Sequence, residues 1–198
     1  MKVEPVTLSL RAVRLEPLTQ MHVEDLRRVG CDPEVWRFFS SGVISKPDEL
    51  QAWANKAIAD TKQGIAVVFA IIDLRSGLAV GSTRYFEISA QHRHLEIGHT
   101  WLGQPAWRTA INTECKYLLL RHAFETLGCL RVQLKTDSRN VRSQAAIEHI
   151  GGKKEGILRS HLLLPDGYIR DSVIYSVISK EWPDVKARLE AIIAARNI

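Results

Sequence analysis

Apolar and polar residues alternate from Val6 to Arg14, with Leu8, Leu10 and Val13 apolar, and this period of two predicts a first strand. From Thr19 the period lengthens. Met21, Leu26 and Val29 share one helical face, with Thr19 as cap and Gly30 as stop. Ser45-Lys-Pro-Asp48 reads as a capping box with proline in the first turn. The helix it opens carries Leu50, Trp53, Ala54, Ala57 and Ile58 on one face. Trp36, Phe38 and Phe39 cluster before it, and packing is the expected role for them over lining a pocket.

Ile65 to Ile72 is a continuous apolar run, short and β-branched, and predicts a buried strand. Asp73 to Gly77 turns the chain, and Leu78 to Ile88 returns as the hairpin partner. After the polar loop Ser89 to Arg93, strict alternation on His94 to Leu102 puts Glu96, Gly98, Thr100 and Leu102 on one face. Leu95, Ile97, His99 and Trp101 take the other. Gly98 is unusual in mid-strand and marks a bulge or a close approach. Gly103-Gln-Pro105 ends the strand. Asn112 is the expected cap of a helix from Thr113 to Leu127, and Gly128 its stop. Then come a strand from Leu130 to Thr136, a helix from Val141 to His149 capped by Asn140, and Gly151-Gly152. Two strands, Glu155 to Leu164 and Tyr168 to Ile178, join through Pro165-Asp-Gly167, a strong hairpin signal. Trp182-Pro183 starts a last helix with Val185, Leu189, Ile192 and Ile193 on one side. The pattern predicts one α+β domain over residues 1–198, with a mixed, mostly antiparallel sheet of six or seven strands flanked by helices.

Composition changes this picture little. With 45% hydrophobic and 25% charged residues the chain is an ordinary globular protein. A net charge of +5 favours anionic ligands but is too scattered to indicate nucleic acid. Between Arg131 and Arg159, seven basic residues face only Asp137, Glu148 and Glu155, so the surplus gathers beside the second helix mouth. Cys31, Cys115 and Cys129 are odd in number and form no CxxC pair, which argues against a disulfide framework or a zinc site and for a reducing cytosol. No segment has the length and apolarity of a membrane helix or a secretion signal, so a cytoplasmic setting without membrane partners is expected. His92-x-His94 lacks further ligands at metal spacing and reads as a surface pair.

The candidate chemistry lies between His94 and Gly152. A strand that runs into a polar turn and then a helix presents unpaired N–H groups at a positive dipole end, a seat for oxyanions. Residues Thr109 to Thr113 form one such mouth, and Asn140 to Ser143 a second. Two mouths on one side of a sheet could grip a single elongated anionic ligand.

The stretch carries Leu95-Glu-Ile-Gly98, Trp101-Leu, Asn112-Thr-Glu114-Cys-Lys116, His122-Ala-Phe-Glu125, Leu127-Gly128, Arg131-Val132, Thr136-Asp137 and Asn140-x-x-Ser143. In these residues there is a resemblance to the GCN5-related N-acetyltransferases, in particular the RimJ/RimL-like branch. It continues through Glu155-Gly156, Leu158-Arg159, Gly167, Arg170-Asp171 and Tyr175-Ser176, and so runs from about Val67 to Pro183. The resemblance implies the GNAT fold and acetyl-CoA-dependent acyl transfer to an amine, of a protein N-terminus or a small molecule. It also implies that the strands bearing Glu96 and Val132 splay to admit pantetheine. Main-chain groups of Thr100, Trp101 and Leu102 would pair with the pantetheine amides. N–H groups of Arg108, Thr109, Ala110, Ile111, Asn112 and Thr113 would hold the pyrophosphate. Asn140 and Ser143 would lie near the pantetheine or the cofactor's far end, with Arg142 a candidate for phosphate contact. The family's Q/R-x-x-G-x-G/A loop appears here as Trp107-Arg-Thr-Ala-Ile-Asn112, without its glycines.

An amine is mostly protonated at neutral pH, so transfer needs a base. Glu96 is the first choice, with a purely structural carboxylate as the competing role. His99 is expected to pack. A main-chain N–H of Trp101 or Leu102 would stabilise the oxyanion. Ser143 is the expected proton donor to the leaving thiolate, with Tyr175 a distant second. Arg170-Asp171 is either an ion pair or part of the acceptor cleft. The missing glycines also allow a non-catalytic acyl-CoA-binding module of the same fold. A homo-oligomer is compatible with either reading.

Overall fold

The computed structural model describes residues 1–195. Its strands are β1 (Leu8–Ser9), β2 (Val13–Pro17), β3 (Val67–Asp73), β4 (Leu78–Ser89), β5 (His94–Leu102), β6 (Arg131–Asp137), β7 (Lys153–Leu163) and β8 (Ile169–Ile178). They form one sheet in the order β1-β2-β3-β4-β5-β6-β8-β7. Eight strands stand where six or seven were expected, partly because the run from Val6 to Arg14 is not one strand. The Leu10 N–H closes a tight turn on the Val13 carbonyl at 2.9 Å, and β1 folds back on β2 with Leu8 opposite Leu15.

The helices are α1 (Val23–Gly30), α2 (Pro33–Trp36), α3 (Pro47–Lys62), α4 (Ile111–Arg121), α5 (Val141–His149) and α6 (Trp182–Ala195). Leu118 and Leu119 of α4, Ile147 of α5 and Leu189 of α6 pack with Leu95, Ile97, Val132 and Tyr175. A second core, on the opposite face of the sheet, packs Leu26 of α1, Trp36 of α2 and Leu50 of α3 with Val68, Ala70 and Trp101. The apolar run on β3 is thus explained: Val67, Phe69 and Ile71 enter one core, and Val68, Ala70 and Ile72 the other.

Local signals were mostly met. Pro47 opens α3, and Glu49 accepts the N–H groups of Ser45 and Lys46 at 2.9 and 3.1 Å. Gly167 takes a φ of +84° in the β7–β8 hairpin. Three expectations fail. Met21 does not join an apolar face, because Gln20–His22 forms a separate tight turn ahead of α1 and leaves Met21 89% exposed. Asn112 does not cap α4, which begins one residue earlier at Ile111. Past Arg121 that helix continues in a wider form over His122–Thr126, and Gly128, with a φ of +66°, stops it as expected.

The third failure matters most. Arg84 of β4 lies opposite Gly98, while Ser82 lies opposite Trp101, so His99 and Thr100 share the space of one residue facing Thr83. This is a β-bulge, and His99 takes a φ of +46° within it. An extra residue inverts the alternation. Leu95 and Ile97 enter the α4 core, but so does Leu102, whereas Trp101 enters the α1–α3 core. Strict alternation had grouped Trp101 with Leu95.

Candidate active site

β5 and β6 are the sheet's one parallel pair, joined by the α4 crossover. Their ladder is short: His94, Leu95 and Glu96 pair with Arg131, Val132 and Gln133, and pairing stops there. Beyond Glu96, β5 stays hydrogen-bonded to β4 through Leu102, and β6 to β8 through Asp137. Each strand is therefore pulled outward by its other neighbour, and the bulge at His99 turns β5 further. A slot opens between them, with Glu96 at its closed end. Thr100, Trp101 and Leu102 line its β5 wall.

The bulge is braced from the α4 side. Thr100 Oγ1 lies 2.8 Å from Thr83 Oγ1 and accepts from the buried Lys116 ammonium at 2.5 Å. Burial lowers the Lys116 pKa.

At the slot's first mouth, Arg108 has a φ of +63° and turns the chain into α4. The Thr109 hydroxyl donates to the Ala106 carbonyl at 2.8 Å and accepts the Ile111 N–H at 3.3 Å, which ties the turn ahead of α4. The N-cap itself is Ala110, with no side-chain bond. Bonding along the helix begins with the Glu114 N–H to the Ala110 carbonyl at 3.0 Å, so the N–H groups of Asn112 and Thr113 precede the first helical bond. Ala110 has a φ of −69°, an ordinary helical value that requires no glycine.

At the second mouth Asn140 Oδ1 accepts the Ser143 N–H at 3.0 Å, as a cap should. Arg142 leans from α5 over the Trp107 ring, 4.1 Å from its centre, and Trp107 Nε1 donates to the Leu102 carbonyl at 2.6 Å. The two mouths thus meet across the slot. A cavity of about 260 Å³ opens beside them, between Phe38, Arg139, Asn140 and Arg142.

Glu96 is 2% exposed. Both Gln133 Nε2, at 2.8 Å, and Lys135 Nζ, at 3.4 Å, engage its Oε2. Its Oε1 lies instead 3.4 Å from where a Cβ on Gly98 would stand. The Phe86 ring edge comes closer to that point, at 2.8 Å, so Gly98 leaves room for the ring and the carboxylate together. His99 sits between Phe86 and Phe39, with ring centroids 5.1 and 6.2 Å away. Burial, and then the charges of Arg84, Lys135 and Arg170, push its pKa down to about 4, so the ring is neutral at pH 7. Tyr175 is removed from acid chemistry. It donates to Glu148 at 3.0 Å in the core, and burial with that carboxylate raises its pKa to about 12.

Arg170 does not pair with Asp171, whose carboxylate accepts the Ser160 N–H at 2.7 Å. Arg170 Nε lies 3.9 Å from Asp137, and Nη1 donates to the Phe38 carbonyl at 3.3 Å. Trp36 packs as expected, against Trp53 and Trp101. Phe38 does not join it; its ring faces Arg37 and Arg139 at the cavity. Sequence reasoning missed Gln133 and Lys135 beside Glu96, and Arg84 opposite Gly98. Their signal was polar alternation on β4 and β6, where Gln133 and Lys135 are interleaved with the core residues Val132 and Leu134.

The family model for the acetyltransferase (GNAT) domain matches residues 12–153. The chain belongs to the GNAT family. Its likeness extends to the RimJ/RimL-like branch. It is 27% identical over 173 residues to "Putative ribosomal N-acetyltransferase YdaF" of Bacillus subtilis, covering 86% of this chain and 89% of that one. A GCN5-related N-acetyltransferase from Brucella melitensis superposes with a TM-score of 0.92 at 29% identity, over 100% of this chain and 90% of the other. RimJ of Mycobacterium smegmatis, solved in complex with CoA-disulfide, gives a TM-score of 0.81 at 22% identity, over 95% of each chain. These likenesses span this GNAT protein from its first strands to its last helix. Among the described residues no helix is long and apolar enough to cross a membrane, and no cluster of three or more His, Cys, Asp or Glu side chains suits a metal ion.

Proposed function

We propose that this GNAT protein, acting as a single domain, transfers an acetyl group from acetyl-CoA to a primary amine by direct attack in a ternary complex. The amine belongs to a protein N-terminus or a small molecule. One observation carries the reading: the β5–β6 ladder stops beside the buried carboxylate of Glu96.

The residues present fit the cofactor. β5 past Glu96 offers main-chain groups with no strand neighbour on the β6 side, suited to the amides of a pantetheine arm. The α4 mouth offers N–H groups of Asn112 and Thr113 with Arg108 nearby, and Arg142 adds charge from α5, suited to a pyrophosphate. Acetyl-CoA in that slot supplies a thioester already activated for acyl transfer: the amine gains the acetyl group, the carbon–sulfur bond breaks, and CoA leaves as the thiol.

The chain's own part is alignment and proton handling. Glu96 accepts a proton from the ammonium, directly or through water, and so frees the nitrogen lone pair. Gln133 and Lys135 hold the carboxylate in place while it does so. A main-chain N–H of Trp101 or Leu102 donates to the carbonyl oxygen as negative charge grows there. The Ser143 hydroxyl gives the sulfur its proton and takes in exchange the one that the nitrogen loses as the amide forms.

The competing module that binds CoA without catalysis was suggested by missing loop glycines. Ala110 needs no glycine geometry and Arg108 tolerates the one left-handed position, so that argument loses its force. The test is free-thiol release from acetyl-CoA with a panel of peptides and small amines, beside calorimetric titration with CoA. Release that depends on amine, and falls strongly in Glu96→Gln while CoA still binds, supports the enzyme. CoA binding with no release from any amine would leave the module instead.

A further inference from the structure

Two buried guanidinium groups on the α1–α3 side of the sheet are under-satisfied. Arg170 is 6% exposed and the Arg84 side chain 12%. Each keeps a buried Nε with no hydrogen-bond partner among the described residues. Each has an acid only at 3.9 Å, and that acid is already held closer by another cation. Asp60, the neighbour of Arg84, takes Lys56 at 2.9 Å. Asp137, the neighbour of Arg170, takes Arg139 at 2.8 Å. Lys135 is committed to Glu96. Five cations thus stand against three carboxylates.

These groups converge on the site. Lys135 lies 3.4 Å from Glu96, Arg84 stands opposite Gly98 beside the bulge, and Arg170 holds the Phe38 carbonyl, next to the Phe39 ring that faces His99; the charges of all three act on His99. β4 and β6 flank β5 and β8 lies just beyond β6, and each carries one of these basic side chains. Phe38 and Phe39 roof the region from the α2 side. A buried guanidinium with an idle N–H is costly unless an acceptor arrives. A carboxylate suits the planar fork better than a neutral amide does.

Resting on the acetyl-transfer reading above, we propose that the acceptor amine itself bears a carboxylate, which Arg84 and Arg170 receive while Glu96 receives the ammonium. The site then mirrors a zwitterion: an anion faces the amine, and cations face the acid beside it. The carboxylate belongs either to an acidic side chain at a peptide N-terminus or to a free amino acid.

Two matched pairs of probes distinguish these sources: Asp-Ala-Ala amide against Asn-Ala-Ala amide, and free alanine against alaninamide. Thiol release gives kcat/KM for each probe, and calorimetry on the CoA-loaded protein gives Kd. The expected result is a preference of about tenfold or more for the carboxylate member of at least one pair, as a charge-assisted bond provides. That preference should shrink toward one in Arg84→Gln and Arg170→Gln, with Arg170→Lys between. A ratio taken within each variant is independent of the folded fraction, so a poorly folding variant still reports. Equal or better use of the neutral members by the wild type would overturn the proposal, as would a preference that survives both arginine changes. Arginine-dependent binding of a carboxylate probe without thiol release would sink acetyl transfer and keep the anion site. Thiol release without carboxylate preference would do the reverse.

Discussion

The Arg142 guanidinium stacks 4.1 Å from the centre of the Trp107 ring, linking the first turn of α5 to the loop after β5 where no backbone bond joins β5 to β6. A cation over an aromatic face at a part-exposed site is worth about 1 kcal/mol. It also parks a positive charge at the slot's rim. Arg142→Ala should therefore weaken CoA binding about three- to tenfold, with a shallower salt dependence than the wild type. Titration calorimetry at two ionic strengths checks this, and unchanged affinity at both would remove Arg142 from the site.

Glu96→Gln should lower kcat by about a hundredfold or more, the range of a lost general base. The change also leaves Lys135 without its closest acid. Stability should therefore fall by about 2 kcal/mol, the cost of an unpaired buried charge. Lys135→Met added to Glu96→Gln should recover stability without recovering rate. If both recover, the carboxylate is a structural anchor and not the base.

Gly81 stands opposite Leu102, and a Cβ there would lie 2.1 Å from the Trp101 carbonyl oxygen. The obstruction is backbone, so no side chain can swing clear. Gly81→Ala should cost about 3 kcal/mol in urea unfolding and shift the β5 wall enough to impair CoA binding. A variant as stable as the wild type would show that β5 tolerates displacement just where the slot is built.

His99 titrates at about 4 in the folded protein, below its ordinary 6.5. The unfolded chain therefore binds more protons between those values, and stability falls as pH drops. It is complete above about pH 6.5, and at pH 5 the expected loss is about 2 kcal/mol. His99→Asn, which suits the left-handed backbone at this position, should flatten that part of the pH profile. Parallel urea midpoints at pH 7.5 and 5 decide the matter, and identical slopes in the two proteins would contradict it.

Much of this architecture could be read residue by residue. Pro165-Asp-Gly167 specified its hairpin, Pro47 and Glu49 the start of α3, and the apolar run on β3 its central place in the sheet. These signals are local, and local physics decided them. The bulge was not legible in the same way. A period of two has no place for an extra residue, and only Gly98, a poor strand residue, hinted that alternation would fail. Asn112 lost the cap position because Arg108 turns the chain early, so that α4 starts after Ala110, which caps it with no side-chain bond. The acceptor side was hidden for a different reason. Arg84, Lys135 and Arg170 lie on three strands far apart in sequence, and only the order of the sheet brings those strands together.

The short ladder between β5 and β6 also bears on how the protein acquires its activity during synthesis. β5 is complete at Leu102, but the opposite wall waits for β6, and β6 is held open by β8, whose Ile178 pairs with Arg131. A nascent chain released only as far as Gly128 would carry the bulge, Glu96 and the first oxyanion mouth, yet enclose nothing. The wall opposite β5 is thus built entirely from chain that follows it, and closes only with the final hairpin in place.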